Sequence, residues 1–479
     1  MIKKLVIGGG LLLGISNLLS RILGLVRDHL LGTTFGALSG SGLFDLDTYY
    51  AAFRLPDFLF NLLIYGTLSA AFVPIFVQYL KKDKIEEAWK FASSVMNIAI
   101  VLIFAVCAVV FIFAPWIVPV FVPGFGDERL ALTIQLTRII LISPIFFTVS
   151  AVFQSIQNSF KTFFFYALAP LVYNLSIIGG IIFLSPRYGV IGVAWGVVAG
   201  SALHALVQVP SMIKNKFHYR LSFAYGRKDV REMITLTIPR MIGQSISQIQ
   251  LVIETVIGST LMTGSIAIMN YAINLNSLPM GVVGISTAIA SFSTLAKNAH
   301  PENREHFAAT LSKNIERILF LVIPATFGMF LLRFDIVQLV FGRGKFGWED
   351  TPMYMGCVAV VTNVIISLLL AKMLGWGVYG LGISNSIAAV INILLLFFYF
   401  TRKFSMTITK TVPFKKILLF IFASLIMAFF VQAVAFGFAF SFGEIDTYME
   451  RALRTLVSAG LGAGVYFGSM KVFGVSSAK

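Results

Sequence analysis

Long apolar stretches recur from one end of the chain to the other, and short polar segments separate them. Each stretch holds about 20 residues or more, which is enough for an α-helix to cross the hydrocarbon core of a bilayer. The pattern therefore predicts an all-α, polytopic membrane protein with about 13 spans. We place these spans near 5–30, 47–79, 91–122, 131–158, 163–184, 189–213, 233–260, 265–291, 310–341, 353–374, 377–400, 416–438 and 453–473.

The overall composition strengthens this prediction, because 58% of the 479 residues are hydrophobic and only 12% are charged. Such a chain is too apolar for a soluble globular protein. The first residues, MIKKLVIGGGLLLG, resemble a secretory signal peptide, but no small-x-small cleavage site precedes Arg21. We therefore expect this segment to be retained as the first membrane span.

The distribution of basic residues predicts the orientation of the chain. In a soluble protein, a formal net charge of +16 would suggest a nucleic-acid partner. Here the Lys and Arg residues are concentrated in alternate loops, which is typical of the cytoplasmic loops of membrane proteins. The basic segments at 81–90, 214–232 and 297–317 thus predict a cytoplasmic N-terminus, and we expect no nucleic-acid partner.

Similar segments occur in the same order in the two halves of the chain. A repeated order indicates an internal duplication, which is typical of transporters, and here it favours six plus six spans followed by a terminal pair. The matched segments are YNLSIIGG (173–180) with TNVIISLL (362–369), YGVIGVAWG (188–196) with WGVYGLGIS (376–384), and WIVPVFVPGF (116–125) with DIVQLVFGRGKF (335–346).

The second half is shorter than the first by about one span. About 49 residues separate two matched motifs in the first half, whereas about 17 separate the corresponding Phe346 and Asn363. One helix is therefore predicted to be missing near 347–352, and the basic segment 401–416 then falls outside, against the usual charge rule. The predicted domains are an N-terminal lobe of six spans, a basic cytoplasmic linker, a C-terminal lobe of five spans and a C-terminal helix pair, at 1–213, 214–232, 233–401 and 415–479.

Charged side chains occur inside the first two predicted spans, although an arginine at membrane depth costs about 2.5–3.5 kcal/mol. Residues at i, i+4, i+7 and i+11 share one face of a helix. The first span carries a polar stripe with this spacing, and the second span carries a comparable stripe. The stripes comprise Asn17, Arg21, Gly24 and Asp28, and Asp47, Arg54, Asp57 and Asn61.

Neither stripe can face lipid, and two interpretations follow. In the first, both stripes line a hydrated cavity that binds an anion such as a phosphate, because arginine offers a forked set of donors. In the second, the charges pair with one another and fix the packing of the helices. Under the first interpretation, the candidate residues for substrate binding and transport are Arg21, Arg27, Asp28, Asp47 and Arg54.

A lone acidic residue, Glu254, lies deep in the seventh predicted span. A buried carboxylate either takes up a proton or finds a cation. Asn363, Ser367 and Asn385 lie at a suitable depth on later spans and supply oxygen atoms, which suit hard cations. The alternative is a neutral glutamic acid bonded to a helix partner, so a coupling site for Na⁺ or H⁺ and a structural role both stay open.

No sequence motif indicates catalysis. Acid-rich motifs of the DDxxD type, a P-loop and a Ser/His/Asp set are absent, and the glycines at 8–10 are typical of helix packing. Cys107 and Cys357 lie in apolar spans and show neither metal spacing nor a disulfide framework. We therefore expect a transporter with no cofactor and no firm metal site, and not an enzyme. A membrane-embedded enzyme or a non-transporting scaffold is the minor alternative.

The segment SRILGLVRD (20–28), followed by LDTYYAAFRLPDFLFNLLIYGTLSAAFVPIF (46–76), resembles the lipid II flippase family, MurJ or MviN. The similarity continues through PRMIGQSISQIQ (239–250) and LPMGVVGISTAIASFSTLAK (278–297) and covers almost the whole chain. It implies membership of the multidrug/oligosaccharidyl-lipid/polysaccharide exporter (MOP) superfamily. The implied fold has two six-helix lobes around a central cavity and a C-terminal helix pair that forms a hydrophobic groove. With about 13 spans, this chain is one short of the family's 14.

The resemblance also implies a function. Members move the undecaprenyl-pyrophosphate-linked peptidoglycan precursor, lipid II, from the inner to the outer leaflet of the bacterial cytoplasmic membrane for cell-wall synthesis. The implied partners are this lipid, other membrane lipids and proteins of wall synthesis or division, and the implied drive is Na⁺, H⁺ or the membrane potential. An exporter of another polyprenyl-linked saccharide or of drugs is the alternative.

Single residues can be carried over from the resemblance. Arg21, Arg27, Asp28 and Asp47 match cavity residues of the family, whose arginines are expected to meet the pyrophosphate. Glu254 and Asn363 match positions where some members hold sodium. The chain departs from the family pattern where arginines or acids are usual, at Phe60, Asn61, Tyr65, Ile273, Asn274 and Ser367.

Overall fold

The computed structural model of the chain describes residues 2–36, 46–64, 67–223, 226–279, 304–332, 335–336, 387, 414–442 and 448–474. The elements in this part are helices, and they confirm the predicted all-α architecture. Six helical stretches in the described residues are long and apolar enough to cross a membrane, and three of them join consecutive helices. The predicted spans at 353–374 and 377–400, and the missing span near 347–352, lie outside the described residues.

The helices follow the predicted spans closely, and several predicted spans consist of two helices. In chain order they are α1 (Ile2–Phe35), α2 (Leu46–Leu63), α3 (Thr67–Lys81), α4 (Ile85–Phe121), α5 (Asp127–Ile140), α6 (Ser143–Phe160), α7 (Phe164–Gly179), α8 (Ser185–Tyr188), α9 (Val190–Leu206), α10 (Val209–Lys214), α11 (Lys228–Ser259), α12 (Ser265–Pro279), α13 (Arg304–Leu331), α14 (Phe414–Phe442) and α15 (Tyr448–Val472).

Proline marks several of the helix starts. Pro144 stands in the first turn of α6, directly after the break that separates α5 from α6. Pro210 occupies the same place in α10. A proline in the first turn costs little, because its missing N–H would have no helical partner there. These breaks divide the predicted spans 131–158 and 189–213 into two segments each.

Contacts between Cα atoms divide the chain into two compact units, of which the first comprises residues 1–269 with 344–346. In this unit α7 packs on α1 and α9, and α11 packs on α2, α3 and α4. The backbones approach closely where the π-helical turn Gly180–Leu184 meets α9. A Cβ atom on Gly180 would lie 2.9 Å from the Cα atom of Gly196, so this contact requires glycine.

Within the second unit, α14 packs on α13 and α15. Phe320, Phe420, Met427 and Tyr466 form a buried cluster at this junction. The Tyr466 hydroxyl donates a hydrogen bond of 2.8 Å to the backbone carbonyl of Phe320, which satisfies the polar end of a side chain that is otherwise surrounded by apolar groups. The predicted C-terminal helix pair therefore forms, and it packs on α13.

Hydrogen bonds hold the segment that follows α10 against α4. The Asn97 side-chain amide donates to the backbone carbonyls of Arg220 and Ser222, at 3.2 and 2.9 Å. The Tyr219 hydroxyl donates in turn to Asn97 Oδ1 at 2.7 Å. Because Asn97 is buried in α4, its amide needs these partners. This part of the predicted cytoplasmic linker is thus fixed to α4.

A charged cluster fixes the other end of the linker. Arg227 pairs with Asp229 at 2.8 Å and with Glu87 at 2.9 Å. The Tyr79 hydroxyl donates a hydrogen bond of 2.8 Å to the Asp229 carboxylate. Burial by itself raises the pKa of Asp229, but the hydrogen bonds from Arg227 and Tyr79 outweigh it, so the pKa lies below its usual value.

Candidate functional site

The charged residues of α1 form a short network at the contact with α7. The Arg27 guanidinium donates from Nε and Nη2 to one carboxylate oxygen of Asp28, at 2.9 and 2.8 Å. Its Nη1 atom lies 3.3 Å from the side-chain oxygen of Asn174, and the Asn174 amide donates to the Ser20 hydroxyl at 3.1 Å. The predicted candidates Arg27 and Asp28 therefore pair with each other, and Asn174 joins them to α7.

The faces of α1 differ in the way that the polar stripe predicts. Ile15, Leu18, Leu19 and Ile22 are exposed large hydrophobic residues on this helix, which suits contact with acyl chains. Asp28 is 1% exposed, whereas the Arg27 side chain keeps 21% exposure. Arg21 has intermediate exposure. Arg21 and Arg27 are therefore each partly accessible.

A second pair of charged residues lies on α2, where it faces α11. The Arg54 Nε atom donates a hydrogen bond of 2.7 Å to the Thr255 hydroxyl, across 201 positions of sequence. The charges of Asp57 and Glu254 also act on this guanidinium. Asp57 itself is exposed although it lies within the second predicted span. Because a carboxylate does not face acyl chains, this exposure indicates a water-filled surface beside α2.

Asp47 lies at the start of α2 and is fully engaged by protein groups. Its carboxylate accepts hydrogen bonds from the backbone N–H groups of Gly264 and Ala267, at 2.7 and 2.8 Å. These are N–H groups at the start of α12, where the helix dipole favours a negative charge. Arg129 of α5 adds an ion pair of 3.1 Å. Asp47 thus caps α12 and joins it to α2 and α5.

Sequence reasoning missed Arg129. It precedes the predicted span at 131–158 and resembles any basic residue at a membrane boundary. Its guanidinium also stacks on the Phe125 ring, with a distance of 4.1 Å to the ring centroid. The Ser259 hydroxyl lies 3.3 Å from the backbone nitrogen of Gly124, so the α4–α5 turn contacts the α11–α12 turn beside the same group.

The candidate cation site is described only in part. Glu254 is 7% exposed, and its carboxylate accepts a hydrogen bond of 2.9 Å from Gln250, one turn earlier on α11. Asn363, Ser367 and Asn385 lie outside the described residues, so the predicted set of ligands stays a prediction. Among the residues that the structure does describe, no three His, Cys, Asp or Glu side chains cluster as a metal site would require.

Two family-divergent positions have local roles in the structure. Asn61, on the α2 stripe, donates a hydrogen bond of 2.8 Å to the Asp57 carbonyl on its own helix. Phe60 packs on Phe147 of α6 with ring centroids 5.4 Å apart. Phe60 therefore contributes to the packing of α2 on α6, whereas Asn61 bonds within its own helix. Tyr65 lies outside the described residues.

The apolar helices and the charged groups between them define a multi-pass membrane transport protein. A family model described as Lipid II flippase MurJ matches residues 35–351. The chain belongs to this family, and it is therefore a multi-pass protein of the bacterial inner membrane.

Individual relatives agree with this assignment. A protein of Buchnera aphidicola subsp. Acyrthosiphon pisum named Probable lipid II flippase MurJ is 30% identical over 76% of this chain and 71% of its own. The Lipid II flippase MurJ of Burkholderia cenocepacia is 28% identical over 76% and 71%. Both alignments cover more than two thirds of the relative.

Solved structures share the fold of this chain. A structure described as Lipid II flippase MurJ, inward closed conformation, matches with a TM-score of 0.77, 27% identity, and coverage of 97% of this chain and 98% of that one. An inward-facing multidrug resistance MATE family transporter of the MOP superfamily matches with a TM-score of 0.52 and 13% identity, over 96% and 99% of the chains. The second match shows a shared fold alone.

Proposed function

We propose that this chain moves lipid II from the inner to the outer leaflet of the cytoplasmic membrane by alternating access. A charged head group that crosses bare hydrocarbon would cost tens of kcal/mol by Born estimates. Passage therefore needs a hydrated path with positive charge along it. In this proposal Arg21, Arg27 and Arg54 screen the pyrophosphate, while the polyprenyl tail stays in lipid beside the C-terminal helix pair.

The exposed carboxylate of Asp57, one turn from Arg54, is the observation that carries the proposal beyond family membership. The exposure of Asp57 supports a water-filled surface next to the Arg54 guanidinium in the second predicted span. Arg54 uses Nε for Thr255. A guanidinium next to such a surface is suited to a phosphate group.

Asp47 has a different role in this proposal. Its buried carboxylate, held by α12 and Arg129, makes it a latch between α2 and the α11–α12 turn. Under the predicted topology this turn lies on the outer side of the membrane. Opening toward the outside would break the latch, and reclosing would restore it. Asp47 thereby contributes to transport through the conformational step and without contact with substrate.

The driving ion belongs to the same proposal. Glu254 is the candidate for H⁺ or Na⁺ coupling, because a buried carboxylate beside Arg54 and Gln250 changes its partners when it gains or loses a proton. Transport by wild type and by Glu254→Gln, measured with Na⁺ replaced by choline and with an imposed pH gradient, tests it. Equal rates under all these conditions would leave the membrane potential as the drive. Proteins of wall synthesis or division are proposed partners on the resemblance alone.

Reconstituted vesicles provide the direct test of lipid II transport. The purified full chain is placed in liposomes with fluorescent lipid II, and the fraction of head groups that a membrane-impermeant quencher reaches is followed over time. Wild type should expose the inner-leaflet pool, and Arg54→Gln or Arg27→Gln should slow this step about tenfold or more, since each removes a charge-assisted contact.

Arg187→Gln is the matched control, because Arg187 is an exposed arginine on the short helix α8. It should transport like wild type. Wild-type protein that is no faster than empty vesicles would overturn the proposal. Transport of a different polyprenyl-linked saccharide in preference to lipid II would favour the alternative exporter function.

A further inference from the structure

Asp57 is an acidic residue at mid-membrane depth on α2. It lies 11 residues after Leu46, where α2 begins on the outer side under the predicted topology, and this spacing is about 16 Å along the helix. The hydrocarbon core of a bilayer is about 30 Å thick, so Asp57 lies near its middle. Transporters hold their substrates at this depth. An ionisable side chain in such a place indicates a functional role.

The Asp57 carboxylate is exposed and is able to change partners. In the described part of the chain it makes neither a hydrogen bond nor an ion pair. The Asn61 side chain binds only the backbone carbonyl of Asp57. An ionised carboxylate has about four acceptor sites, and water on the exposed side supplies the donors for them. A new partner for this carboxylate therefore replaces water and breaks no contact within the protein.

Two arginines from different helices act on this carboxylate. The positive charges of Arg54 and Arg27 both interact with it. Arg54 stands three residues earlier on α2, where side chains are neighbours on the helix surface, and Arg27 comes from α1. The Tyr49 and Tyr173 side chains, of α2 and α7, lie within reach of the same charge. Asp57 therefore lies among the arginines to which the proposed function assigns the diphosphate.

Asp57 does not hold the helices together. Arg27 forms its ion pair with Asp28, and Arg54 donates from Nε to Thr255. Asp28, which does join side chains, is 1% exposed and in direct contact with its partner. Asp57 has neither property. A packing role therefore does not explain Asp57, and its negative charge is the one that an anionic ligand of the arginines can displace.

We infer that Asp57 is a resident counter-ion of the transport site: its carboxylate balances Arg27 and Arg54 while the site is empty, and the diphosphate of the lipid displaces it. This inference rests on the proposed function, since it takes a lipid diphosphate as the ligand of these arginines. The carboxylate and the diphosphate carry like charges and therefore compete for the same guanidinium groups.

The competition serves release of the lipid. Transport needs binding that is favourable enough for entry and weak enough for exit. Asp57 lowers the affinity of the site, and its carboxylate returns to Arg27 and Arg54 as the lipid leaves. The empty protein then changes conformation with its arginines already balanced.

Binding of a short-tailed, fluorescent lipid II to the purified full chain in detergent tests this inference. Asp57→Asn should bind this lipid about tenfold more tightly than wild type, a ratio that corresponds to about 1.4 kcal/mol. Asp57→Glu keeps the charge and should bind like wild type. Asp127→Asn is the matched control, because it removes an exposed acid at the start of α5, and its affinity should be unchanged.

The vesicle assay provides the second measurement. At saturating lipid II, Asp57→Asn should transport several-fold more slowly than wild type, because the lipid leaves the site more slowly, and Asp57→Glu should restore the rate. Thermal unfolding of each variant without added lipid shows whether it is folded.

The two measurements together decide the role of Asp57. Affinity in Asp57→Asn that is equal to or weaker than that of wild type would overturn the inference, as would tighter binding without slower transport. These results leave the proposed function intact. Wild-type protein that binds no lipid II would instead overturn the proposed function, and this inference with it.

Discussion

The Asp47 carboxylate accepts a hydrogen bond from the backbone N–H of Gly264 at 2.7 Å, although the two residues are 217 positions apart in sequence. The same carboxylate pairs with Arg129 and is almost fully buried. An acid in this setting is held by a helix N-terminus and a guanidinium together, which stabilises its charged form. It therefore joins three helices through a single side chain.

Asp47→Asn should weaken this junction. The amide keeps the shape but loses the charge, and it leaves Arg129 without its acidic partner. We expect the free energy of unfolding to fall by about 2 kcal/mol, as for other hydrogen bonds to charged groups. Thermal unfolding in detergent measures this change. Asp127→Asn is the control, since Asp127 is an exposed acid at the start of α5, and its effect should stay within about 0.5 kcal/mol.

The proposed role of Asp47 as a latch leads to a second, separate prediction. In a variant that lacks both native cysteines, Thr263→Cys should react slowly with a membrane-impermeant maleimide, because Thr263 lies beside the latch, with its hydroxyl 3.5 Å from Arg129. Adding Asp47→Asn should speed this labelling several-fold, since the turn then opens more often. If labelling from outside is the same with and without Asp47→Asn, Asp47 is a structural cap and does not gate the chain.

Arg54 and Thr255 distinguish transport from packing. If Arg54 served only to join α2 to α11, Thr255→Val and Arg54→Gln would reduce lipid II transport to the same extent. We expect Arg54→Gln to lower transport about tenfold or more and Thr255→Val by less than about threefold, because a guanidinium without the hydroxyl still carries its charge and most of its donors. The vesicle assay measures both. Equal losses would support the packing interpretation of the α2 stripe.

The apolar pattern predicted the described helices because the membrane requires this pattern of every span. A span must be long and apolar and must satisfy its backbone internally, so its signal is local in sequence. Pro144 and Pro210 mark the helix interruptions within 131–158 and 189–213, but neither proline by itself shows what form the interruption takes. A proline in a membrane helix produces a kink or a break depending on its neighbours, and those neighbours come from elsewhere in the chain.

The site was harder to predict for a related reason. Stripe spacing places residues on one face of a helix, but it does not name their partners. Asp47 is held by backbone N–H groups, which exist at every residue and leave no mark in sequence. Arg27 and Asp28 are adjacent, and adjacent residues do not face each other on a helix. Their ion pair forms because the long arginine side chain folds back, which spacing alone does not show.

The glycine contact between the π-helical turn and α9 offers a matched pair of substitutions. A Cβ on Gly180 would lie 2.9 Å from the Gly196 Cα atom, whereas a Cβ on the neighbouring Gly179 would meet only the Cδ2 atom of Phe183, at 4.0 Å. Gly180→Ala must push two backbones apart, and we expect a loss of about 1–3 kcal/mol in stability. Gly179→Ala should be neutral or stabilising by up to about 1 kcal/mol.

Thermal unfolding of the two alanine variants in the same detergent checks this pair. Both substitutions add one methyl group to neighbouring residues, so a general effect on the π-helical turn would lower both midpoints alike. That result would contradict the close-contact explanation. A lower midpoint in Gly180→Ala alone supports it.

The Asp229 cluster predicts how the linker responds to acid. The pKa of Asp229 lies below its usual 3.8 in the folded protein, because the hydrogen bonds from Arg227 and Tyr79 outweigh the effect of burial. A group with a lowered pKa stabilises the folded state above its unfolded value, and this stabilisation is lost as the pH falls through the folded value. The cluster should therefore hold the linker at neutral pH and release it below about pH 3.8.

Pulsed cleavage by pepsin, an acid-active protease, measures this release between about pH 2.5 and about pH 5. This range extends roughly one pH unit on either side of the ordinary carboxyl pKa. In wild type, cleavage within 214–227 should rise steeply as the pH falls. Asp229→Asn removes the titrating group, so cleavage should already be raised at pH 5 and should depend much less on pH. Glu232→Gln is the control, because Glu232 is an exposed acid on the first turns of α11 and should leave the wild-type profile unchanged. A profile in Asp229→Asn that matches wild type would assign the acid response to groups outside this cluster.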